Sequence, residues 1–118
     1  MASLSVRIDL GAGNRIGPGK IELLEKIDSS GSISAAGRAM NMSYRRAWEL
    51  VEEMNGLFNA PLVSARTGGR QGGGTALTPL GHAVVANYRA IEQTAGEAVR
   101  LQISELEAEL TPAASAAQ

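Results

Sequence analysis

The stretch "GSISAAGRAMNMSYRRAWELVEEMN", residues 31–55, contains the pattern that decides the fold. Ser32 is placed to cap a short helix over residues 33–40, because a serine hydroxyl accepts hydrogen bonds from the free N–H groups of a first helical turn. "NMS" predicts a tight turn, after which Ser43 caps a longer helix with apolar residues at helical spacing. Two short helices joined by a turn of three or four residues are typical of a helix-turn-helix.

The segment that follows predicts a hairpin. Residues 62–66 and 75–78 have the character of strands, and the glycine-rich run "TGGRQGGGT", residues 67–75, separates them. In DNA-binding helix-turn-helix proteins the second, or recognition, helix lies in the major groove. A hairpin directly after such a helix is a wing, whose tip lies beside the DNA backbone or in the minor groove. Glycine lets a backbone approach closely, and Arg70 and Gln71 would make the polar contacts.

The glycine-rich stretches fit neither of two nucleotide-binding motifs. A phosphate loop needs lysine where this chain has Gly74, and the loop must open a helix. "GAGNRIG", residues 11–17, is similar to a dinucleotide fingerprint, but its third glycine comes one position late and no second parallel strand follows. We interpret it as a loop between a strand and a helix.

The N-terminal part predicts one strand and one helix. Residues 4–10 alternate between apolar and polar side chains, which indicates a half-buried strand. Pro18 suits the first turn of a helix. The apolar stripe of that helix consists of Ile21, Leu23, Leu24 and Ile27, and the helix should end near residues 30–31.

After Pro79 the pattern predicts a single helix to about Leu110. Its apolar residues recur at spacings of three and four, as in a coiled-coil seam. The seam predicts a dimer interface formed by Val84, Tyr88, Ile91, Ala95, Val99, Ile103 and Leu106. The chain thus divides into a winged helix-turn-helix domain (1–78), a long dimerisation helix (79–110) and a disordered tail (111–118), an α+β fold that is mainly α.

Composition excludes several classes of function. The chain has 118 residues, no cysteine and one histidine, His82, to which we assign no special chemistry. These numbers argue against disulfides and metal sites, and no cofactor is expected. No apolar run reaches the roughly 20 residues that span a bilayer, and no signal peptide is apparent, so a cytoplasmic protein is expected. No nucleophile and base stand out as a catalytic pair, so the chain should not be an enzyme.

The distribution of charge favours nucleic acid although the net charge is only −1. No acidic residue lies within positions 29–48, and three arginines do. A local positive face can steer a polyanion even when the total charge is near zero. The predicted DNA contacts are Ser43, Tyr44, Arg45 and Arg46 on the recognition helix, Ser32, Ser34 and Arg38 on the preceding helix, and Arg70 and Gln71 in the wing. Trp48 is expected in the core or packed against another helix.

"GSISAAGRAMNMSYRRAWELVEEMN" followed by "LVSARTGGRQGGGTALTPLG" closely resembles the N-terminal DNA-binding domain of the ModE family of molybdate-responsive regulators, which is similar to the winged helix of LysR-type regulators. The resemblance implies a dimeric transcriptional regulator that binds double-stranded DNA, and it adds Thr67 to the wing contacts. Where the family commonly has lysine and a small residue after the tyrosine, this chain has Arg45 and Arg46. The operator sequence of the family therefore does not carry over to this chain.

Full-length ModE proteins carry C-terminal molybdate-binding domains, and this sequence ends at Gln118. We therefore expect no molybdate binding here: regulation would need no ligand, or a separate effector-binding protein would carry the sensor. The alternative function is a protein-interaction module in which the long helix pairs with a partner's helix and the helix-turn-helix is only a scaffold. Such a module has no need of glycines around Arg70.

Overall fold

The computed structural model of the chain describes residues 2–66 and 74–116. Its elements in chain order are β1 (Ile8–Asp9), β2 (Arg15–Ile16), α1 (Pro18–Ser30), α2 (Ile33–Ala39), α3 (Tyr44–Asn55), β3 (Val63–Arg66), β4 (Gly74–Leu77), α4 (Pro79–Ala98), α5 (Arg100–Ala108) and α6 (Pro112–Ala116). Helices dominate, and the described strands form two separate two-stranded antiparallel sheets. This confirms the α+β, mainly α class and the winged helix-turn-helix.

Helix α1 forms the centre of the core. Its predicted stripe, Ile21, Leu23, Leu24 and Ile27, is completely buried. Full burial of one such side chain stabilises a fold by about 1.5–3 kcal/mol, so this stripe is a main source of stability. Helices α2 and α3 pack over it through Ala36, Ala47, Leu50, Val51 and Met54.

The close contact between α2 and α3 depends on a glycine. A Cβ atom added to Gly37 would lie 3.0 Å from the Cβ of Ala47. The turn between the two helices contains Asn41 at a φ of 58°, a left-handed conformation that asparagine tolerates better than most residues. The backbone N–H of Met42 donates to the carbonyl of Gly37 at 3.0 Å, which closes the turn.

The hairpin of β3 and β4 is attached to the end of α3 by Asn55. The Oδ1 atom of Asn55 accepts hydrogen bonds from the backbone N–H groups of Leu62 (2.8 Å) and Val63 (3.1 Å), and its Nδ2 donates to the Val63 carbonyl. The Thr78 hydroxyl donates to the carbonyl of Pro61 and caps α4 by accepting from the N–H of Gly81. The wing hairpin therefore starts and ends at fixed points.

The N-terminal strand is much shorter than predicted. Only Ile8 and Asp9 are in strand conformation, and they pair with Arg15 and Ile16, a strand that the sequence analysis interpreted as loop. Glycines and Ala12 with positive φ reverse the chain at residues 11–13, so the loop closes into a hairpin. Strand β1 has only two residues because its partner β2 has only two. Leu10 lies beyond the paired residues and is 51% exposed.

The long C-terminal helix is interrupted at Val99, where φ is −110° and ψ is 13°. Backbone hydrogen bonds link Ala95 to Val99 and Val99 to Ile103, so the break is one residue long. Gly96 and the β-branched Val99 are both weak helix formers, which explains why the helix breaks there. Within the described part of the chain, no helix has the length and apolar character needed to cross a membrane.

The tail also differs from its prediction. Residues expected to be disordered form α6, Pro112–Ala116, whose residues are all exposed. The Thr111 hydroxyl accepts a hydrogen bond from the N–H of Ala114 at 3.1 Å. A capping threonine followed by proline in the first turn favours helix initiation, and this local signal outweighs the small, weakly apolar composition of the tail.

Tyr88 was predicted in the exposed seam, and this is wrong. It is 2% exposed, and its hydroxyl donates to the carbonyl of Val6 at 2.6 Å. Burial raises the pKa of the Tyr88 phenol, so the group keeps the proton that it donates. Because α4 lies against both α1 and the N-terminal segment, one face of this helix belongs to the core of the same chain and cannot be a seam.

Helix α4 is also tied to α1 by an ion pair. The guanidinium of Arg89 donates from Nε and Nη2 to the two carboxylate oxygens of Glu25, at 3.0 and 2.6 Å. Its Nη1 atom donates to Glu92 at 2.7 Å. The hydrogen bond from Arg89 holds the pKa of the Glu25 carboxyl below its usual range.

Candidate nucleic-acid interface

The first turn of α3 presents three large polar side chains to solvent. The Ser43 hydroxyl accepts from the backbone N–H of Arg46 at 3.0 Å and starts the helix at Tyr44, as the sequence predicts. Tyr44 is 58% exposed, and the side chains of Arg45 and Arg46 are 88% and 59% exposed. Glu49 is the nearest carboxylate to both arginines, at 3.5 and 4.0 Å. The two guanidinium groups therefore share one negative charge and remain available.

Ser32, Ser34 and Tyr44 line one shallow surface cavity of about 330 Å³, together with the first residues of β4. The structure thus brings residues predicted on α2 next to one predicted on α3. The Ser32 hydroxyl accepts from the N–H of Ala35 at 3.0 Å and caps α2. A hydroxyl that accepts a bond in this way still has its own hydrogen to donate.

Arg38 lies one turn after Ser34 on α2, and its Nη1 atom donates to the Ser34 hydroxyl at 2.8 Å. Both residues are at the surface: Arg38 is exposed and Ser34 is partly exposed. The hydrogen bond holds the guanidinium against α2. Among the described residues, Ser34 is the side-chain partner of Arg38, so the remaining N–H donors of the guanidinium can take a further acceptor.

Trp48 was expected in the core or packed against another helix, and it is 45% exposed. The buried positions of α3 are Ala47, Leu50, Val51 and Met54, and Trp48 lies outside this stripe. It follows Tyr44 by four residues, so the two aromatic side chains share one face of the helix. The apolar spacing of α3 would have indicated this, had it been weighed above the general tendency of tryptophan to be buried.

The base of the wing touches the turn between α1 and α2. The N–H of Thr75 donates to the carbonyl of Gly31 at 3.0 Å. A Cβ atom on Gly31 would lie 2.7 Å from Nη2 of Arg66, so this guanidinium covers the turn. Sequence reasoning did not select Arg66 as a site residue. The predicted wing contacts Thr67, Arg70 and Gln71 lie outside the described residues.

The helix-turn-helix, the hairpin beside it and the basic first turn of α3 define a winged helix-turn-helix protein. The model of the bacterial regulatory helix-turn-helix proteins of the LysR family matches residues 19–82, more than half of the chain. The chain therefore belongs to this family, whose members are regulators and not enzymes.

Individual proteins also resemble the chain closely. The chain is 46% identical over 101 residues to the molybdenum-pterin-binding protein MopB of Rhodobacter capsulatus. These residues cover 86% of this chain and 37% of MopB. It is 45% identical over 85 residues to the molybdenum transport protein ModE of Azotobacter vinelandii, covering 72% of this chain and 32% of that protein.

A third relative is named for its action on DNA. The DNA-binding transcriptional dual regulator ModE of Escherichia coli (strain K12) is 41% identical over 76 residues, which cover 64% of this chain and 29% of that regulator. The matches confirm the resemblance to the ModE family. The chain spans about a third of the length of these three relatives.

Proposed function

We propose that this chain binds duplex DNA in a sequence-specific manner and regulates transcription in the cytoplasm as a homodimer. The observation that carries the proposal is the exposed first turn of α3, with Tyr44, Arg45 and Arg46 beside the capping serines of two helices. In helix-turn-helix proteins the second helix lies in the major groove and its N-terminal residues reach the bases. An arginine fork can bond both major-groove acceptors of a guanine.

The phosphate contacts in this proposal surround the recognition helix. Ser32, Ser34 and Arg38 would bond one backbone through hydroxyl and guanidinium donors. Thr67, Arg70 and Gln71 would do so from the wing. Support for the first group comes from their shared position at the start of α2, at the same surface cavity as Tyr44. Phosphate contacts of this kind orient the protein, while base contacts supply specificity.

The homodimer would form through the faces of α4 and α5 that their own chain covers only in part. Ile91 and Leu106 are 45% and 70% exposed. Ile91 and Val84 line an apolar groove of about 170 Å³ beside the β1–β2 hairpin. Ala95, Val99 and Ile103 continue the same face, partly exposed. Two recognition helices related by a two-fold axis would require an operator with inverted half-sites.

Regulation by an effector would depend on a separate partner. The similar proteins from Rhodobacter capsulatus and Azotobacter vinelandii are named for molybdenum, but this chain matches only about a third of each. We propose a separate effector-binding protein as a further partner of this chain.

The test is selection of bound duplexes from a random DNA pool at about 150 mM salt, which weakens nonspecific phosphate binding. The expected result is an inverted repeat with half-sites separated by whole helical turns. A double variant, Arg45→Ala with Arg46→Ala, should no longer enrich the operator. Arg100→Ala, which removes one positive charge on α5 away from α3, is the control. Equal binding by the double variant and the wild type would contradict the site.

The protein-interaction module makes a different prediction for the wing. Deletion of residues 67–73 would leave its activity unchanged, because the partner would bind the long helix alone. A DNA regulator should lose operator affinity in the same variant. Two results together would favour the interaction module. The folded, dimeric wild type would enrich no duplex, and deletion of residues 67–73 would leave the activity unchanged.

A further inference from the structure

A second surface cavity, of about 350 Å³, lies beside α3, and four basic side chains line it. They are Arg7, Arg15, Lys20 and Arg46, here called the hairpin patch. They come from four places in the chain: the segment before β1, strand β2, the first turn of α1 and the first turn of α3. Sequence reasoning selected only Arg46, because the other three are distant in sequence from the helix-turn-helix.

The hairpin patch and the cavity lined by Ser32, Ser34 and Tyr44, here called the serine cavity, lie on different sides of α3. Tyr44 lines the serine cavity, and Arg46 and Leu50 line the hairpin patch. Positions 44 and 46 are separated by about 200° around a helix with 3.6 residues per turn. The wing and the hairpin patch therefore flank the recognition helix from opposite sides.

The charge of the hairpin patch comes mainly from two arginines. Lys20 pairs with Glu53 at 3.1 Å and also donates to the carbonyl of Arg15. Arg46 shares Glu49 with Arg45. Within the described residues, no ion pair shorter than 4.0 Å involves Arg7 or Arg15. Glu49 and Glu53 are thus the acidic groups that α3 contributes near the cavity, and each already faces a cation.

Both arginines extend from anchored backbone. Val6, the residue before Arg7, accepts the hydrogen bond from the buried Tyr88 hydroxyl. Ile16, the residue after Arg15, is 3% exposed and lies in the core. The backbone on either side of the patch is therefore held while the two side chains face solvent, which reduces the entropy lost on binding.

We propose that the hairpin patch binds the phosphate backbone on the side of the major groove opposite the wing. The inference rests on the proposed DNA-binding function of α3. The major groove is about 12 Å wide and a helix with its side chains is about 10–12 Å across, so a phosphate backbone runs along each flank of an inserted helix. Serine and arginine donors of α2 serve one flank. Arg7 and Arg15 serve the other, which extends the DNA footprint to the N-terminal hairpin.

The test measures the salt dependence of binding with the full chain. Fluorescence anisotropy gives the affinity for the selected operator and for an unrelated duplex at several salt concentrations. The variants are Arg7→Ala, Arg15→Ala and both together, with Arg100→Ala as the control. Each lost phosphate contact should reduce the slope of log K against log salt by about 0.9, counted once per protomer. The loss of affinity should be similar for both duplexes, because contacts with phosphates do not depend on the DNA sequence.

The outcomes separate this inference from the function on which it rests. If the wild type binds DNA and the Arg7→Ala, Arg15→Ala double variant has the same salt dependence, the proposal for the hairpin patch is wrong. The proposed role of the recognition helix is then unaffected. A wild type that binds no duplex would overturn both. Arg7→Lys with Arg15→Lys keeps the charge and should retain the slope, which separates charge from misfolding. If the alanine variants weaken only the binding of inorganic phosphate, followed by NMR, the patch is a small-anion site and the proposal is wrong.

Discussion

Thr75 donates its backbone N–H to the carbonyl of Gly31 at 3.0 Å, and this bond joins the wing to the helix-turn-helix. Gly31 ends α1 with a φ of 72°, and its own N–H donates to the carbonyl of Ile27. The left-handed conformation is available to glycine without strain. Because one residue ends α1, precedes the Ser32 cap and receives β4, a change at this point should affect the wing and α2 together.

Gly74→Ala should disturb that junction. A Cβ at position 74 would lie 2.9 Å from the Gly31 carbonyl oxygen, so the backbone must shift. We expect a loss of about 1–3 kcal/mol in the free energy of unfolding, as for other overpacked sites, and weaker operator binding. Gly96→Ala is the control, because no atom lies within 4 Å of its Cβ and alanine should stabilise the helix by up to about 1 kcal/mol. Urea denaturation that ranks the two variants equally would contradict the prediction.

Asn55→Ala should loosen the hairpin from α3. It removes the acceptor for the N–H groups of Leu62 and Val63, both in buried residues. An unpaired buried N–H costs about 1–3 kcal/mol. Asn55→Asp keeps the acceptor for both N–H groups but replaces the donor with an oxygen that repels the Val63 carbonyl, so it should cost less than Asn55→Ala but not be neutral. If urea denaturation shows equal losses for the two variants, packing and not hydrogen bonding explains the role of Asn55.

The change in the free energy of unfolding caused by Trp48→Ala should show whether Trp48 is exposed or buried. An exposed side chain should change the free energy of unfolding by about 0.5 kcal/mol or less, whereas a core tryptophan would cost about 3–5 kcal/mol. Operator affinity should fall, because Trp48 lies one turn along α3 from Tyr44. Trp48 is the only tryptophan, so its fluorescence also reports binding in the wild type. Unchanged fluorescence on saturation with operator would place Trp48 away from the DNA.

Leu106→Lys should weaken the proposed dimer without unfolding the chain. Leu106 and Leu101 are equally exposed, at 70% and 72%, but lie about 140° apart around α5. Only Leu106 lies on the face that continues Ile91. Sedimentation equilibrium should therefore give a monomer for Leu106→Lys and a dimer for the matched Leu101→Lys. The opposite result would move the interface to the other face of α5.

Glu25→Gln should reduce the dependence of stability on acidic pH. Arg89 lowers the pKa of the Glu25 carboxyl in the folded chain, so the stabilisation is complete above the unfolded pKa, about 4.3. It is lost as the pH falls through the lower folded pKa. The side chains are 39% and 38% exposed, so the expected effect is about 0.2–1 kcal/mol.

Urea denaturation at pH 7 and pH 3 should show a smaller decrease for Glu25→Gln than for the wild type. Glu105→Gln, on the exposed surface of α5, is the control and should behave as the wild type does. An equal decrease in both variants would assign the acid sensitivity to other carboxylates.

Local patterns predicted much of the helical structure. Ser32 and Ser43 cap their helices as their positions before apolar runs indicate, and the stripe of α1 is buried as its spacing predicts. The seam was only partly interpretable, because the same periodicity describes a face toward the core and a face toward a partner. Tyr88 belongs to the first kind, and its bond to Val6, 82 residues away, has no local signature.

The sequence by itself determined the helix-turn-helix, the recognition helix and the mainly α class, because caps and apolar spacing act between residues three or four positions apart. Only the tertiary structure decided that Arg7 and Arg15 meet Arg46 in one cavity, and that Gly31 receives the wing. Arg7 and Arg15 lie 39 and 31 positions from Arg46, and Thr75 of the wing lies 44 positions from Gly31. Their proximity follows from how a short hairpin and β4 pack around α1, and no spacing rule contains that information.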